Sequence, residues 1–115
     1  GVLVNQALEA AQRLANEGIA VRVVKLNRVT PLEWDAVCGA LDGASRLVVL
    51  EDQLRQGCVG QRLAAALLER SAAPERLRLL NVGERLPAQG SVQQLYHALG
   101  LDAAGVTAAV REVLA

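Results

Sequence analysis

The sequence predicts an α/β domain with a mostly parallel sheet and helices on both of its faces. Three observations carry this. Short apolar runs rich in β-branched or leucine residues recur at 19–26, 46–51 and 77–82. Amphipathic helical patterns fill the intervals between them. Crossovers of that length join parallel strands rather than hairpins. The chain has 115 residues, the size of one domain. Such a chain buries about 65% of its unfolded surface, enough for a core of its own.

The elements follow in order. Leu3, Ala7, Ala10 and Leu14 fall on one stripe, which predicts a helix from Leu3 to Glu17. Gly18 then stops it, since glycine takes the left-handed conformation without steric cost. Ile19 to Leu26 (IAVRVVKL) reads as a sheet-buried strand, with Arg22 and Lys25 at its ends or on a partly open face. Thr30-Pro31-Leu32-Glu33 is a helix start: Thr30 caps, Pro31 suits the first turn, and Glu33 completes a capping box. That helix runs to about Leu41 with Leu32, Val37 and Leu41 inward, and Gly43 ends it. Arg46 to Glu51 is a strand. Gly57 to Arg70 is a helix with Val59, Leu63 and Leu67 on its core face. Pro74 breaks the chain before a strand at Leu77–Val82. Ser91 and Gln94 form a capping box for a helix through Leu99, with Gly100 behind it. Asp102 or a residue near it starts the last helix, which ends near Leu114. The sequence opens directly on a helix and contains no methionine. A strand is therefore expected upstream, in a longer polypeptide from which this stretch is taken.

Composition narrows the function. Aromatic residues make up 2% of the chain, Trp34 and Tyr96 alone. The core must be Leu, Val and Ala, and no stacking platform for bases exists. Twelve basic and twelve acidic residues cancel, so neither nucleic acid nor a membrane surface is an expected partner. No apolar run of about 18 residues spans a bilayer, and no signal peptide is visible. Cys38 and Cys58 lack CxxC spacing and read as free thiols in a reducing compartment, the cytoplasm.

The most site-like stretch is Glu51-Asp52 followed by Gly57-Cys58-Val59-Gly60. It lies at the C-terminal end of a strand and turns into a helix, where α/β folds place ligands. Free N–H groups at a helix start favour anions. The plainer reading is that Gly57 and Gly60 let the helix approach the sheet closely, and that Glu51 and Asp52 are solvated or bind nearby N–H groups. The stretch lacks the Lys-Ser/Thr ending of a phosphate loop and the third glycine of a dinucleotide fingerprint. Cys58 could be a helix-start thiolate or a small buried apolar residue; Cys38 reads as packing. His97 has no second ligand at metal spacing and reads as surface or satisfied core. Asn27-Arg28 could meet an anion or solvent, and Trp34 reads as packing or interface. No catalytic set, cofactor-binding set or metal set emerges from the residues.

Four stretches together carry a resemblance: GVLVNQALEAAQRLANEGIAVRVVKL, NRVTPLEW, LVVLEDQLRQGCVGQRLAAALLE and LLNVGERLPAQGSVQQLYHALGLDAAGVTAAV. In this order they resemble the C-terminal domain of the transketolase-like enzymes, and among these the 1-deoxy-D-xylulose-5-phosphate synthases. The last stretch separates that group from transketolase proper and from the β subunits of 2-oxo-acid dehydrogenases; the alternative reading is the docking domain of such a β subunit or of another transketolase-like enzyme. Cys58 stands where the second of two glycines is usual, Gln89 where a histidine precedes glycine, and Glu33 where Asp is common. The resemblance implies a three-layer α/β/α domain with a mixed, roughly five-stranded sheet whose first strand is cut away. It implies a parent enzyme using thiamine diphosphate and Mg²⁺, held by upstream catalytic domains of the same chain, and a homodimer that this domain supports. Glu51 is then not the cofactor-activating glutamate. The loops bearing Glu51, Asp52, Gly57, Cys58, Gly60 and Gln89 are the places where an anion or an interface could be met.

Overall fold

A computed structural model describes residues 2–26, 33–41, 43–84 and 91–115. The helical stripe of the first segment forms α1 (Val2–Ala15), which turns Ala10 and Leu14 fully inward. Gly18, at φ +81°, reverses the chain, and the Ile19 N–H closes the turn on the Leu14 carbonyl at 2.9 Å. The remaining elements are α2 (Trp34–Ala40), β1 (Arg46–Leu50), α3 (Val59–Glu69), β2 (Arg76–Leu80), α4 (Val92–Leu99) and α5 (Ala103–Leu114). Strand β1 pairs with β2 in parallel, Arg46 opposite Arg76 through Leu50 opposite Leu80.

Because successive strand residues point to opposite faces, β1 serves two cores. Val48 and Leu50 pack with Ala10, Leu80, Leu101 and Val106, beneath α1 and α5. Leu47 and Val49 pack with Val37, Leu63 and Leu67, beneath α2 and α3. Trp34 and Cys38 lie half-buried against this second core, so both are packing residues here. The three-layer arrangement expected from the sequence is present.

Two local devices set the C-terminal helices. Ser91 accepts from the Gln94 N–H at 3.1 Å while the Gln94 side chain accepts from the Ser91 N–H at 3.0 Å, the reciprocal cap read from the sequence. Asp102 caps α5 by accepting from the Gly105 N–H at 3.0 Å. The Arg76 guanidinium reaches the carbonyls of Glu112 and Ala115, both at 3.2 Å, at the negative end of the α5 dipole.

One expected strand is absent. Residues 19–26 form no ladder, and among the described residues the sheet has two strands rather than about five. The segment keeps a strand's alternation: Ile19, Val21 and Val23 are half-buried while Ala20, Arg22 and Val24 are exposed. What it lacks is a neighbour. A cavity of about 820 Å³ lies between it and β1, and residues 20–26 make no main-chain hydrogen bond with any described residue. Strand propensity measures fit to a pleated surface and cannot supply the partner. The helix start at Thr30-Pro31-Leu32 and the Asn27-Arg28 pair lie outside the described residues; Glu33 stands at the N-cap of α2 without a side-chain cap bond.

Candidate functional site

The stretch singled out from the sequence is the turn from β1 into α3. Strand β1 ends at Leu50 and delivers Glu51 directly over the start of α3. One carboxylate oxygen of Glu51 accepts from the Val59 N–H at 3.0 Å and the other from the Gly60 N–H at 2.7 Å. Gly57, at φ +70°, donates its N–H to the Gln61 side chain at 2.9 Å. Two first-turn donors of α3, the Val59 and Gly60 N–H groups, thus carry a partner from within the chain. An external anion would have to displace a carboxylate that already makes two charge-assisted bonds.

The other residues of the stretch divide plainly. Asp52 is exposed. Cys58 occupies the N-cap position of α3 with extended backbone, makes no side-chain cap bond and is 4% exposed. A buried thiol of this kind is shaped for packing rather than for attack on a solvent-borne substrate. Gly60 is buried where helix meets sheet: a Cβ there would lie 2.9 Å from Leu79 Cδ2 and 3.3 Å from Val49 Cγ1. Gln89 lies outside the described residues. The structure therefore brings Glu51, Gly57, Cys58 and Gly60 together and leaves Asp52 apart.

The sequence reading did not anticipate how the turn is tied to the loop after β2. Gln53 accepts from the Val82 N–H at 3.0 Å and Gly83 accepts from the Arg55 N–H at 2.8 Å. Asn81 accepts from the Gly83 N–H at 3.0 Å, holding that loop in an Asx turn. The Asn81-x-Gly83 spacing was the available signal.

Glu51 gives the first expected outcome. Glu51→Ala strips acceptors from two N–H groups and should destabilise the domain by about 2 kcal/mol. Glu51→Gln keeps one acceptor oxygen and should cost about half as much. Urea unfolding at neutral pH checks the order of the two variants.

Elsewhere, His97 is exposed and its Nδ1 lies 2.7 Å from Asp102 Oδ2. Burial alone would raise the Asp102 pKa, but the Gly105 N–H and the His97 ring outweigh it and hold it below the ordinary carboxylate value. A depressed carboxylate pKa stabilises the fold above the unfolded pKa of about 3.9, and that stability is lost as pH falls through the lower folded value. Asp102→Asn keeps an N-cap acceptor and removes the titration. Its stability should fall less steeply than that of the unaltered chain below about pH 4, as followed by thermal unfolding across an acid series.

Among the described residues, no three His, Cys, Asp or Glu side chains converge as a metal site. No described helix is long and apolar enough to cross a membrane. Residues 1–106 match the family profile "Transketolase, C-terminal domain". The 1-deoxy-D-xylulose-5-phosphate synthase of Syntrophotalea carbinolica is 34% identical over 99% of this chain, which spans 18% of that relative. A pyruvate dehydrogenase E1 component subunit beta from Staphylococcus epidermidis is 35% identical, over 62% of this chain and 22% of its own. The solved "Split gene transketolase, inactive beta4 tetramer" superposes with a TM-score of 0.81 at 30% identity, covering 99% of this chain and 37% of that one. The chain thus spans under a fifth of the length of the synthases it matches.

Proposed function

The chain belongs to the transketolase C-terminal domain family, and on that premise we propose that it is the C-terminal domain of a 1-deoxy-D-xylulose-5-phosphate synthase. Such an enzyme decarboxylates pyruvate and joins the two-carbon unit to D-glyceraldehyde 3-phosphate, releasing CO₂ and forming the five-carbon product. The observation that carries the reading is the extent of the likeness. Synthases from three bacteria align over 96% or more of the chain at 33–35% identity. The E1 β subunits align over 62%. That shorter match favours the second reading, a partner-docking domain of a 2-oxo-acid dehydrogenase, less well, whereas a mouse transketolase-like protein, 31% identical over 99% of the chain, keeps another transketolase-like enzyme as the alternative parent.

The cofactors of this reading are thiamine diphosphate and Mg²⁺. The described residues do not fit either: the Val59 and Gly60 N–H groups at the start of α3 are engaged by Glu51, and among the described residues no three His, Cys, Asp or Glu side chains converge. We therefore assign both groups to upstream domains of the parent chain and no catalytic step to this domain. Its role is structural, to buttress those domains and a homodimer in the cytoplasm. The free thiols Cys38 and Cys58 suit a reducing compartment.

Calorimetric titration of thiamine diphosphate with Mg²⁺ into the isolated chain tests the assignment. No saturable heat and no consumption of pyruvate are expected, with both restored in the full-length polypeptide. Saturable binding to the isolated chain would place an anion site in the β1–α3 turn and overturn the structural role.

A further inference from the structure

Strand β2 has one edge on β1 and one edge open. The Arg76 N–H donates to the Ser45 carbonyl and the Glu51 N–H to the Leu80 carbonyl, at 3.3 and 3.0 Å. Parallel ladders engage alternate residues, so Arg76, Arg78 and Leu80 face β1, and the N–H and C=O groups of Leu77 and Leu79 face outward. Among the described residues only the Arg78 guanidinium reaches these groups, donating to the Leu79 carbonyl at 3.3 Å. The two sides of the edge differ in chemistry. On the α5 side stands a row of exposed arginines: Arg78, Arg76 and, opposite Arg76 in register, Arg46. Glu112 lies 3.2 Å from Arg78 and Glu75 lies 3.5 Å from Arg46, while Arg76 donates to carbonyls, which leaves the row net positive. On the α3 side the lip is apolar. Gly60 stands over Leu79, and the same helix row carries Ala64 and Leu68 back along β2. Leu68 is 71% exposed and Leu77 36%.

Open edges recruit strands, and charged side chains are one way to guard them. A guard against all pairing would carry charge on both sides; here one side is left apolar. We propose that the β2 edge docks an extended segment of a partner protein in which Asp or Glu alternates with apolar residues. Successive residues of an added strand point to opposite faces. Its acids then meet the arginine row, its apolar residues meet Leu77 and Leu68, and its backbone pairs with Leu77 and Leu79. The arginines also reject the nearest competitor, a second copy of this chain. Two β2 edges in antiparallel register with Leu77 opposite Leu79 set Arg78 against Arg78. The register centred on Leu77 sets Arg76 against Arg78. Like charges directly opposite destabilise a strand pair, and attraction for one partner joined to repulsion of another is how a surface becomes specific. The proposal is independent of which transketolase-like reaction the parent performs.

The probe is a capped peptide of about eight residues alternating Glu and Val, enough for one strand, with a Lys–Val peptide as its counterpart. Each is added to the full-length polypeptide and followed by hydrogen exchange with mass spectrometry. Without peptide, the Leu77 and Leu79 amides of the 76–80 segment should exchange at unprotected rates. At about ten times its Kd the Glu–Val peptide should slow both about tenfold, and the Lys–Val peptide should leave them unchanged. Arg78→Glu should weaken Glu–Val binding about tenfold by turning an attraction into a repulsion. Leu77→Pro removes only an outward N–H donor and should abolish the protection at Leu79. Should either variant not fold, Arg78→Gln is the milder change, with a several-fold loss expected. Equal protection by the Lys–Val peptide, protection by neither, or affinity that Arg78→Gln leaves unchanged would overturn the proposal. So would slow exchange of both amides before any peptide is added: if it falls on dilution a second copy holds the edge, and if it persists the polypeptide covers its own edge.

Discussion

Gly105→Ala should destabilise the domain by about 3 kcal/mol or more, at or beyond the usual upper range for overpacking. Gly105 sits in the first turn of α5, against the chain reversal that ends α4. A Cβ built there would lie 2.1 Å from the Gly100 carbonyl oxygen and 2.4 Å from its carbon. Both atoms are main chain, so no rotamer change relieves the clash. Gly100 itself holds a left-handed conformation, φ +73°, that cannot drift without losing the α4 cap. The reversal must open, and with it the Asp102 cap and the seat of Leu101, which is fully buried. For a domain near this size each kcal/mol moves the melting temperature by roughly 4 °C or more, so a fall of about 12 °C or more should appear in thermal circular dichroism. Gly39→Ala is the matched control. It lies inside α2 with open space around it, and should be neutral or stabilising by up to about 1 kcal/mol through helix propensity.

Gly60→Leu comes second, at about 3 kcal/mol. Here the neighbours are side chains, Leu79 and Val49 of the sheet and the Glu51 carboxylate at 3.0 Å. They can give by a few tenths of an ångström, so Gly60→Ala should cost roughly 1 kcal/mol. A leucine needs more room than that and also pushes Glu51 off the two N–H groups it caps. The loss should therefore shrink in a Glu51→Ala background, where part of the harm is already done. Guanidinium unfolding of the four chains in a double-mutant cycle measures it; strict additivity would show that Gly60 and Glu51 act apart.

Much of this was legible from residue order because the signals were local. The helix stripe ending at Gly18, the Ser91–Gln94 box and the Asp102 cap each depend on residues within a few positions of one another, and each appears as read. The strand at 46–51 also came through, and the structure places Val48 and Leu50 on one core and Leu47 and Val49 on the other. The segment Ile19–Leu26 did not, because a strand is a relation between two stretches of chain. Its residues state a preference, and the partner is not among the described residues. The β1–α3 turn was legible as a place but not as an arrangement. Glycine and acid spacing marked it, yet whether its N–H groups stood free or engaged depended on where one carboxylate eight residues away would point. The Asn81-x-Gly83 spacing signals a turn, but not the bonds joining Gln53 to Val82 and Arg55 to Gly83, because both lie between loops distant in sequence.

Those two loop–loop bonds give this end of the domain a mechanical character. The segments following β1 and β2 are laced together past the point where the strands stop, and the first is also clamped to α3 through Glu51. A load applied to either loop is shared by the other and passed into a helix and two strands. In an assembly such a surface acts as an abutment, transmitting force into the core instead of yielding like a hinge.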